Sequence, residues 1–369
     1  MPASTPPPIE YDPRFEILEE DEGDTQAELL DVLHGIADTT FRDSGKPLRS
    51  VHAKSHGLLK AELRVAPGLP RTLAQGLFAQ PGSYPVVLRL STTPGDVLAD
   101  SVSTPRGLAV KVLGVRGERL PGSEHDSTQD FVLVNAITFL NAGPKAFLGG
   151  LKMLAATTDK APALKRTLSA ALRKAEGLLE RGGTDSAALK AIGGHPATHP
   201  LGDTYYSQTP ILYGPYMAKV ALAPVAVGLT QLHGQPLDVT AAPNALRQAV
   251  CDYFAQQGGE WELRVQLCTN IEEMPIEDAA AEWPESVSPY VPVARLVAPP
   301  QAGWTEALSA AIDEGLSFTP WHGLAAHRPL GSVNRVRKAA YEMSARLRAR
   351  RRGAPIVEPV SLDELPFGP

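Results

Sequence analysis

Tyr84-Pro85-Val86-Val87-Leu88-Arg89-Leu90-Ser91 is the stretch on which the reading of this 369-residue chain turns. Its period is two. In an extended strand Val86, Leu88 and Leu90 fall on one face, and Val87, Arg89 and Ser91 on the other. One face is fit to be buried, and the other carries a guanidinium and a hydroxyl on a rigid element. The same alternation recurs on either side. It marks strands at residues 58–65, 107–113, 130–136, 216–222, 261–268 and 291–298. At 261–268, Trp261, Leu263, Val265 and Leu267 alternate strictly with Glu262, Arg264, Gln266 and Cys268. Tight turns at Thr93-Pro94-Gly95-Asp96 and Pro121-Gly122 separate such runs.

Between these strands the period changes to 3.6. Leu29, Leu30, Val32, Leu33 and Ile36 predict a short amphipathic helix over 25–36. Residues 141–192 read as a helical insertion with helices at 144–156 and 162–181, and 331–351 as a C-terminal helix. At least seven strands with such helices predict an α+β fold: an antiparallel barrel or strongly curved sheet with helices packed outside. The 34 prolines and 32 glycines exclude an all-helical bundle. No boundary signal divides the chain, so an N-terminal arm (1–24) and one domain (25–369) are expected.

Net charge is −6, which argues against wholesale nucleic-acid binding, and the basic run 346–352 reads as a solvated helix end. Cys251 and Cys268 lack CxxC spacing and read as reduced core residues. The N-terminus has no signal-peptide pattern and no apolar run approaches a membrane span, so a cytoplasmic protein without a membrane partner is expected.

Two segments carry candidate chemistry. Arg49-Ser50-Val51-His52-Ala53-Lys54-Ser55-His56-Gly57 delivers a histidine to the start of a strand, three residues after an arginine. On the C-terminal helix, Val333, Val336, Ala340, Met343 and Leu347 form an apolar face. Arg337, Tyr341, Ser344 and Arg348 form a second stripe roughly 90° away. Arginines beside a tyrosine favour its phenolate, a hard anionic ligand suited to ferric iron. The i, i+4 pairs His52/His56 and His195/His199 could ligate zinc, but neither follows HExxH. His322 and His327 precede the C-terminal helix and read as packing residues. Asp130, early on its strand, needs a partner such as Arg106.

These residues resemble the haem catalase superfamily, specifically its short catalase-related branch. Arg49-Ser50-Val51-His52-Ala53-Lys54 is similar to the catalase segment that carries the distal histidine. Val87–Thr92, followed by Ala99-Asp100-Ser101-Val102-Ser103-Thr104-Pro105-Arg106-Gly107-Leu108-Ala109-Val110-Lys111, is similar to the run VRFST…ADTVRDPRGFAVKF. Arg337-Lys338-Ala339-Ala340-Tyr341 is similar to the proximal Arg-x-x-x-Tyr pattern, with Arg348 in place of its later arginine. The resemblance implies a catalase-like barrel with a proximal haem helix, and haem b (iron protoporphyrin IX) as cofactor. It implies His52 as the proton-moving group, with Ser91 fixing its tautomer. It implies Arg49, Arg89 and Arg348 on the propionates, Tyr341 as the iron ligand and Arg337 as the group that keeps it a phenolate.

The sequence departs from the pattern where catalases carry a distal asparagine. Here the stretch is Asp126-Ser127-Thr128-Gln129-Asp130-Phe131-Val132; Ser127 aligns with the asparagine, and Gln129 is the nearest amide and the candidate to replace it. The departure predicts a peroxidase that reduces hydrogen peroxide or organic hydroperoxides with an external electron donor, in preference to a true catalase. Val51 before the histidine, where the allene oxide synthase branch has threonine, makes hydroperoxide isomerisation a poorer fit. A haem carrier indifferent to His52 is the non-enzymatic alternative. Absence of the long wrapping segments predicts a monomer or homodimer.

Overall fold

A computed structural model describes residues 6–95, 97–102, 104–157 and 196–368. Nine strands form one antiparallel sheet: β1 Ser55–Val65, β2 Ser83–Thr92, β3 Arg106–Val112, β4 Gln129–Val134, β5 Tyr205–Tyr206, β6 Ile211–Tyr213, β7 Tyr216–Pro224, β8 Gly259–Leu267 and β9 Val291–Ala298. The order runs β5-β4-β3-β2-β1-β9-β8-β7, and β5 pairs back onto β7, closing an eight-stranded barrel with β6 as an added hairpin strand. Closure removes the free edges that an open sheet would expose. The antiparallel barrel expected from the alternation is therefore present.

The strand pleat sorts side chains as the sequence pattern requires. Leu59, Leu63, Leu88, Leu90, Leu108, Val110, Phe131, Leu133, Leu222, Leu263, Val265 and Leu296 point inward and fill one buried apolar cluster. Each such side chain contributes roughly 1.5–3 kcal/mol of burial free energy. Phe78, from the loop between β1 and β2, stacks on Tyr213 at 5.8 Å and plugs the interior.

Three helices cover the outside of the wall near the start of β1. They are α1 (Glu22–Ser44), α2 (Pro144–Thr157) and, later in the chain than α3 (Ala245–Phe254), α4 (Ser332–Arg352). Leu29, Leu33 and Ile36 of α1, Leu148 and Leu151 of α2, and Val336, Ala340 and Met343 of α4 meet around Val51. The first helix is longer than residues 25–36 because Thr40 is also buried, its hydroxyl donating to the carbonyls of Ile36 and Gly95. The N-terminal arm lies along the barrel, with Ile9 N donating to Cys268 O and Tyr11 N to Pro215 O. The helix expected over 162–181 lies outside the described residues.

The start of α4 is fixed by acids from elsewhere. Glu16 accepts from Gly331 N at 3.1 Å and Glu277 from Ser332 N at 2.7 Å, satisfying two otherwise unpaired donors at the helix end. Arg335 binds Glu16, Glu22 and Glu277 together. The far end is also held. Arg348 is buried, and Arg351 binds Asp38 and the carbonyl of Ala37 on α1. The reading of 346–352 as a solvated end holds for Arg346, Arg350 and Arg352, which are exposed, and fails for Arg348 and Arg351, which helix packing brings against a carbonyl-rich turn and α1.

Candidate functional site

His52 lies three residues before β1 in the left-handed region, φ 54°, which a side chain with a Cβ seldom adopts. Its backbone is held there from both sides. His52 N donates to Thr93 O at 2.8 Å, and His52 O accepts from Arg89 Nη2 at 2.7 Å. Two glycines make room. A Cβ on Gly95 would stand 2.2 Å from Ser50 O, and one on Gly107 would stand 2.6 Å from the His52 ring. Imposed strain of this kind persists only where surrounding structure over-determines it.

Ser91 is on the outward face of β2, and its Oγ lies 3.1 Å from His52 Nδ1. Burial, and then the charges of Arg89, Arg337 and Arg49, push the imidazole pKa down to about 3. His52 is therefore a neutral base across the physiological range. Arg337 belongs to α4, so His52 and that helix stand within electrostatic reach of one another.

On α4, Arg337 Nη2 donates to Tyr341 OH at 3.2 Å, with the guanidinium carbon 5.4 Å from the ring centre. Its Nη1 donates to Asn334 Oδ1 at 3.1 Å. Asn334 is in turn fixed by the carbonyls of Pro210 and Leu330. The i, i+4 spacing thus places a fixed cation on a half-buried phenol.

Arg49, Arg89 and Arg348 converge on a turn that the sequence reading did not single out. Residues Ser309–Glu314 form a π-helical turn, a wide form recurrent at functional sites. From it Asp313 accepts from Arg89 Nε at 2.6 Å, with Arg49 Nη1 at 3.7 Å. Ser55 and Ser309 hydroxyls donate to its other oxygen at 2.6 and 2.8 Å. Arg49 also donates to the carbonyls of Ile312, Asp313 and Leu316. Arg348 donates to those of Asp313, Glu314 and Leu316.

Burial raises the Asp313 carboxyl, but Arg89, Arg49 and the Ser55 hydroxyl reverse this and hold it below the ordinary range. Desolvation, followed by mutual repulsion, lowers Arg49 well below its usual value and brings Arg348 down to about 10. Tyr341 also acts on Arg49, which links this cluster to the phenol. In the sequence, Asp313 is one acid beside another, Glu314; no spacing marks it.

Gln129 faces away from the Ser91 side of the sheet. The pleat that sends Asp130 outward turns Gln129 inward, and its Oε1 accepts from Leu324 N at 2.9 Å. It lines a small cavity of about 20 Å³ with Phe131, Leu133 and His327, to which Asn334 and Arg337 of α4 also contribute. The other amide nearby in sequence, Asn135, bonds Arg106 N and Asp203. Asp130 pairs with Lys111 at 2.7 Å, not with Arg106. The register sets them side by side on β4 and β3, whereas Arg106, at the other end of β3, binds Asp203.

Four other histidines have neighbours of opposite or polar character. His56 Nε2 lies 3.1 Å from Thr92 Oγ1, and His199 Nδ1 accepts from Leu201 N at 3.2 Å. His327 Nε2 accepts from Leu77 N at 3.0 Å inside the barrel. His322 lies 3.4 Å from Glu358 and 3.5 Å from Asp130. His195 lies outside the described residues.

No protein-family model and no curated protein matches the chain. Solved structures do. A fungal catalase aligns over 96% of this chain and 66% of its own, at 19% identity and a TM-score of 0.57. A bacterial catalase aligns over 88% and 62%, at 16% identity and 0.59. The fold is that of the catalases. Catalase A from Saccharomyces cerevisiae aligns over 95% and 68%, at 18% identity and 0.56. The chain thus spans about two thirds of the length of these catalases. Within the catalase fold, the outer wall of β1 to β4 and helix α4 bring together His52, Ser91, Arg49, Arg89, Arg337, Tyr341 and Arg348, whereas Gln129 is on the inward face of β4. Among the described residues no helix is long and apolar enough to cross a membrane.

Proposed function

We propose that the protein is a haem-dependent, peroxide-consuming oxidoreductase that works chiefly as a peroxidase. The observation that carries this reading is the pairing of a strained, neutral His52, hydrogen-bonded to Ser91, with an arginine-clamped Tyr341 on the helix within its electrostatic reach.

The residues fit the cofactor. Tyr341 would supply an oxygen ligand for iron, and Arg337 donates to that oxygen and holds it in place. Arg49 and Arg89 share the Asp313 carboxylate, Arg348 binds carbonyls of the same turn, and Arg348 Nε is buried without a partner among the described residues. That surplus of cation and donor suits the two propionates of haem b. Bound haem would supply an iron that exchanges electrons with peroxide. The chain's own part is proton movement and orientation. Neutral His52 takes the proton from one peroxide oxygen and returns it to the other, so that the second leaves as water or alcohol. Ser91 holds the ring in one orientation for both steps.

The balance of the reaction favours an external donor. In ROOH + 2 AH → ROH + H2O + 2 A•, the peroxide is reduced by two electrons from two donor molecules. Oxidising a second peroxide instead requires it to be oriented over the first site, the task of a positioned amide. Gln129 faces the barrel interior and Asn135 is engaged with Arg106 and Asp203.

The test is spectroscopic and kinetic on the full chain. Purified protein should show a Soret band with ferric tyrosinate features, lost or shifted in Tyr341→Phe. His52→Ala should keep the band and lose phenol oxidation by roughly 10²–10⁴-fold. A well-folded protein that takes up no haem would end the haem reading. Dioxygen release from hydrogen peroxide at undiminished rate without donor would end the peroxidase reading, and a His52→Ala variant as active as the parent would leave a haem carrier.

A further inference from the structure

Asp313 is a buried acid at the site that neither the proton chemistry nor the iron ligation uses. It is 3% exposed, and its two oxygens are fully engaged by Arg89, Ser55 and Ser309, with Arg49 alongside. Ser55 itself is fixed by Trp304, whose Nε1 donates to its Oγ at 2.9 Å. A carboxylate so held is not a surface acid that drifted inward. Its position on a π-helical turn places it between arginines from three separate elements: Arg49 ahead of β1, Arg89 on β2 and Arg348 on α4. Guanidinium groups cannot discharge themselves by losing a proton at any ordinary pH. Their repulsion must therefore be met by anions, and Asp313 is the only carboxylate hydrogen-bonded or ion-paired to any of the three among the described residues.

We infer that Asp313 is the resident counter-ion of the arginine cluster, a positioning residue that sets its charge and thereby tunes the hold on a dicarboxylate ligand. The inference rests on the haem reading above. Two consequences follow from charge alone. Arg49, Arg89 and Arg348 meet one directly bonded carboxylate among the described residues, so the cluster holds more cation than paired anion, which suits a ligand with two carboxylates. Asp313 also shares the arginines such a ligand needs, so its charge stabilises the ligand-free fold and moderates the affinity. By linkage, removing that charge must weaken the ligand-free protein more than the loaded one.

Asp313→Asn keeps the shape and removes the charge. The haem-free variant should melt roughly 5–10 °C below the parent, as expected for uncompensated buried charge. The haem-loaded variant should fall by less, so that haem raises Tm by more than in the parent. Haem should also transfer to apomyoglobin several-fold more slowly. Haem dimethyl ester, which lacks both carboxylate charges, should show neither gain. Should the haem-free variant not fold, refolding it with haem should still recover protein that passes haem to apomyoglobin several-fold more slowly than the parent. Equal loss of Tm in both forms, faster haem loss, or the same gain with the ester would each overturn the inference while leaving haem binding intact. Absence of a Soret band in parent and variants alike would overturn the haem reading and this inference with it.

Discussion

Two walls of the same barrel were built from the same sequence pattern and ended in opposite environments. On the β7 to β9 side, Glu262 and Arg264 alternate with Leu263 and Val265. They pair with one another at 2.6 Å at the rim of the solvent, where Arg264 is 34% exposed. Arg295 answers Glu260 and Glu262 across the strands in the same way. On the β1 to β4 side, Arg89, Ser91, Lys111 and Asp130 alternate with Leu88, Leu90, Val110 and Phe131 just as regularly, yet none exceeds 4% exposure. An antiparallel sheet commonly turns its polar face to water. Where helices and a π-helical turn cover that face instead, each charge needs a partner, because removing an ion from water is costly. The difference teaches where to look for function. It is the covered polar wall, not the exposed one, that gathers the site.

The sharpest way to break this comparison is to remove one ion from each wall. Arg89→Ala strands Asp313 and frees the carbonyl of His52. It should cost about 3–5 kcal/mol in denaturant unfolding. A loss below 1 kcal/mol would mean that the covered face is wetter than its burial implies.

Acid offers a second contrast. His52 and His56 sit on the covered wall, and burial pushes both pKa values down, His52 to about 3 and His56 well below its usual value. The unfolded chain takes up these protons near pH 6.5, before the folded one does, so stability is full above that pH and falls as pH drops below it. Between pH 6 and pH 5 the pair should lose about 2 kcal/mol, and His56→Gln should halve the slope. A flat profile over that unit would show that these histidines are not held neutral. The smallest effect belongs to the exposed wall. Arg264→Gln should change stability by less than about 0.5 kcal/mol, and high salt should erase what difference remains.

Much of the fold was legible because periodicity is local. The strand at 291–298 and the alternation within β2, β3 and β8 follow from residues two apart. Arg337 and Tyr341 were legible for the same reason, since residues four apart share a helix face. The inward orientation of Gln129 was not legible from proximity in sequence, because one position along a strand changes the face. Asp130 was given the wrong partner because register decides which cation of β3 lies opposite, and register is not written in either strand alone. Asp313 carries no local signal at all.

By itself, then, the sequence determined the barrel's strands, the inward apolar face, the helix that carries Arg337 and Tyr341, and the resemblance that drew His52 and Ser91 together. Only the tertiary structure decided which polar face would be covered, which cation each buried acid would meet, and that three arginines remote in sequence would close on one turn. The physical reason is range. Backbone periodicity is fixed by neighbours two to four residues apart, whereas the charge around a buried ion is set by whichever elements the fold brings within a few ångströms, here Arg49, Arg89, Asp313 and Arg348 from four separate segments.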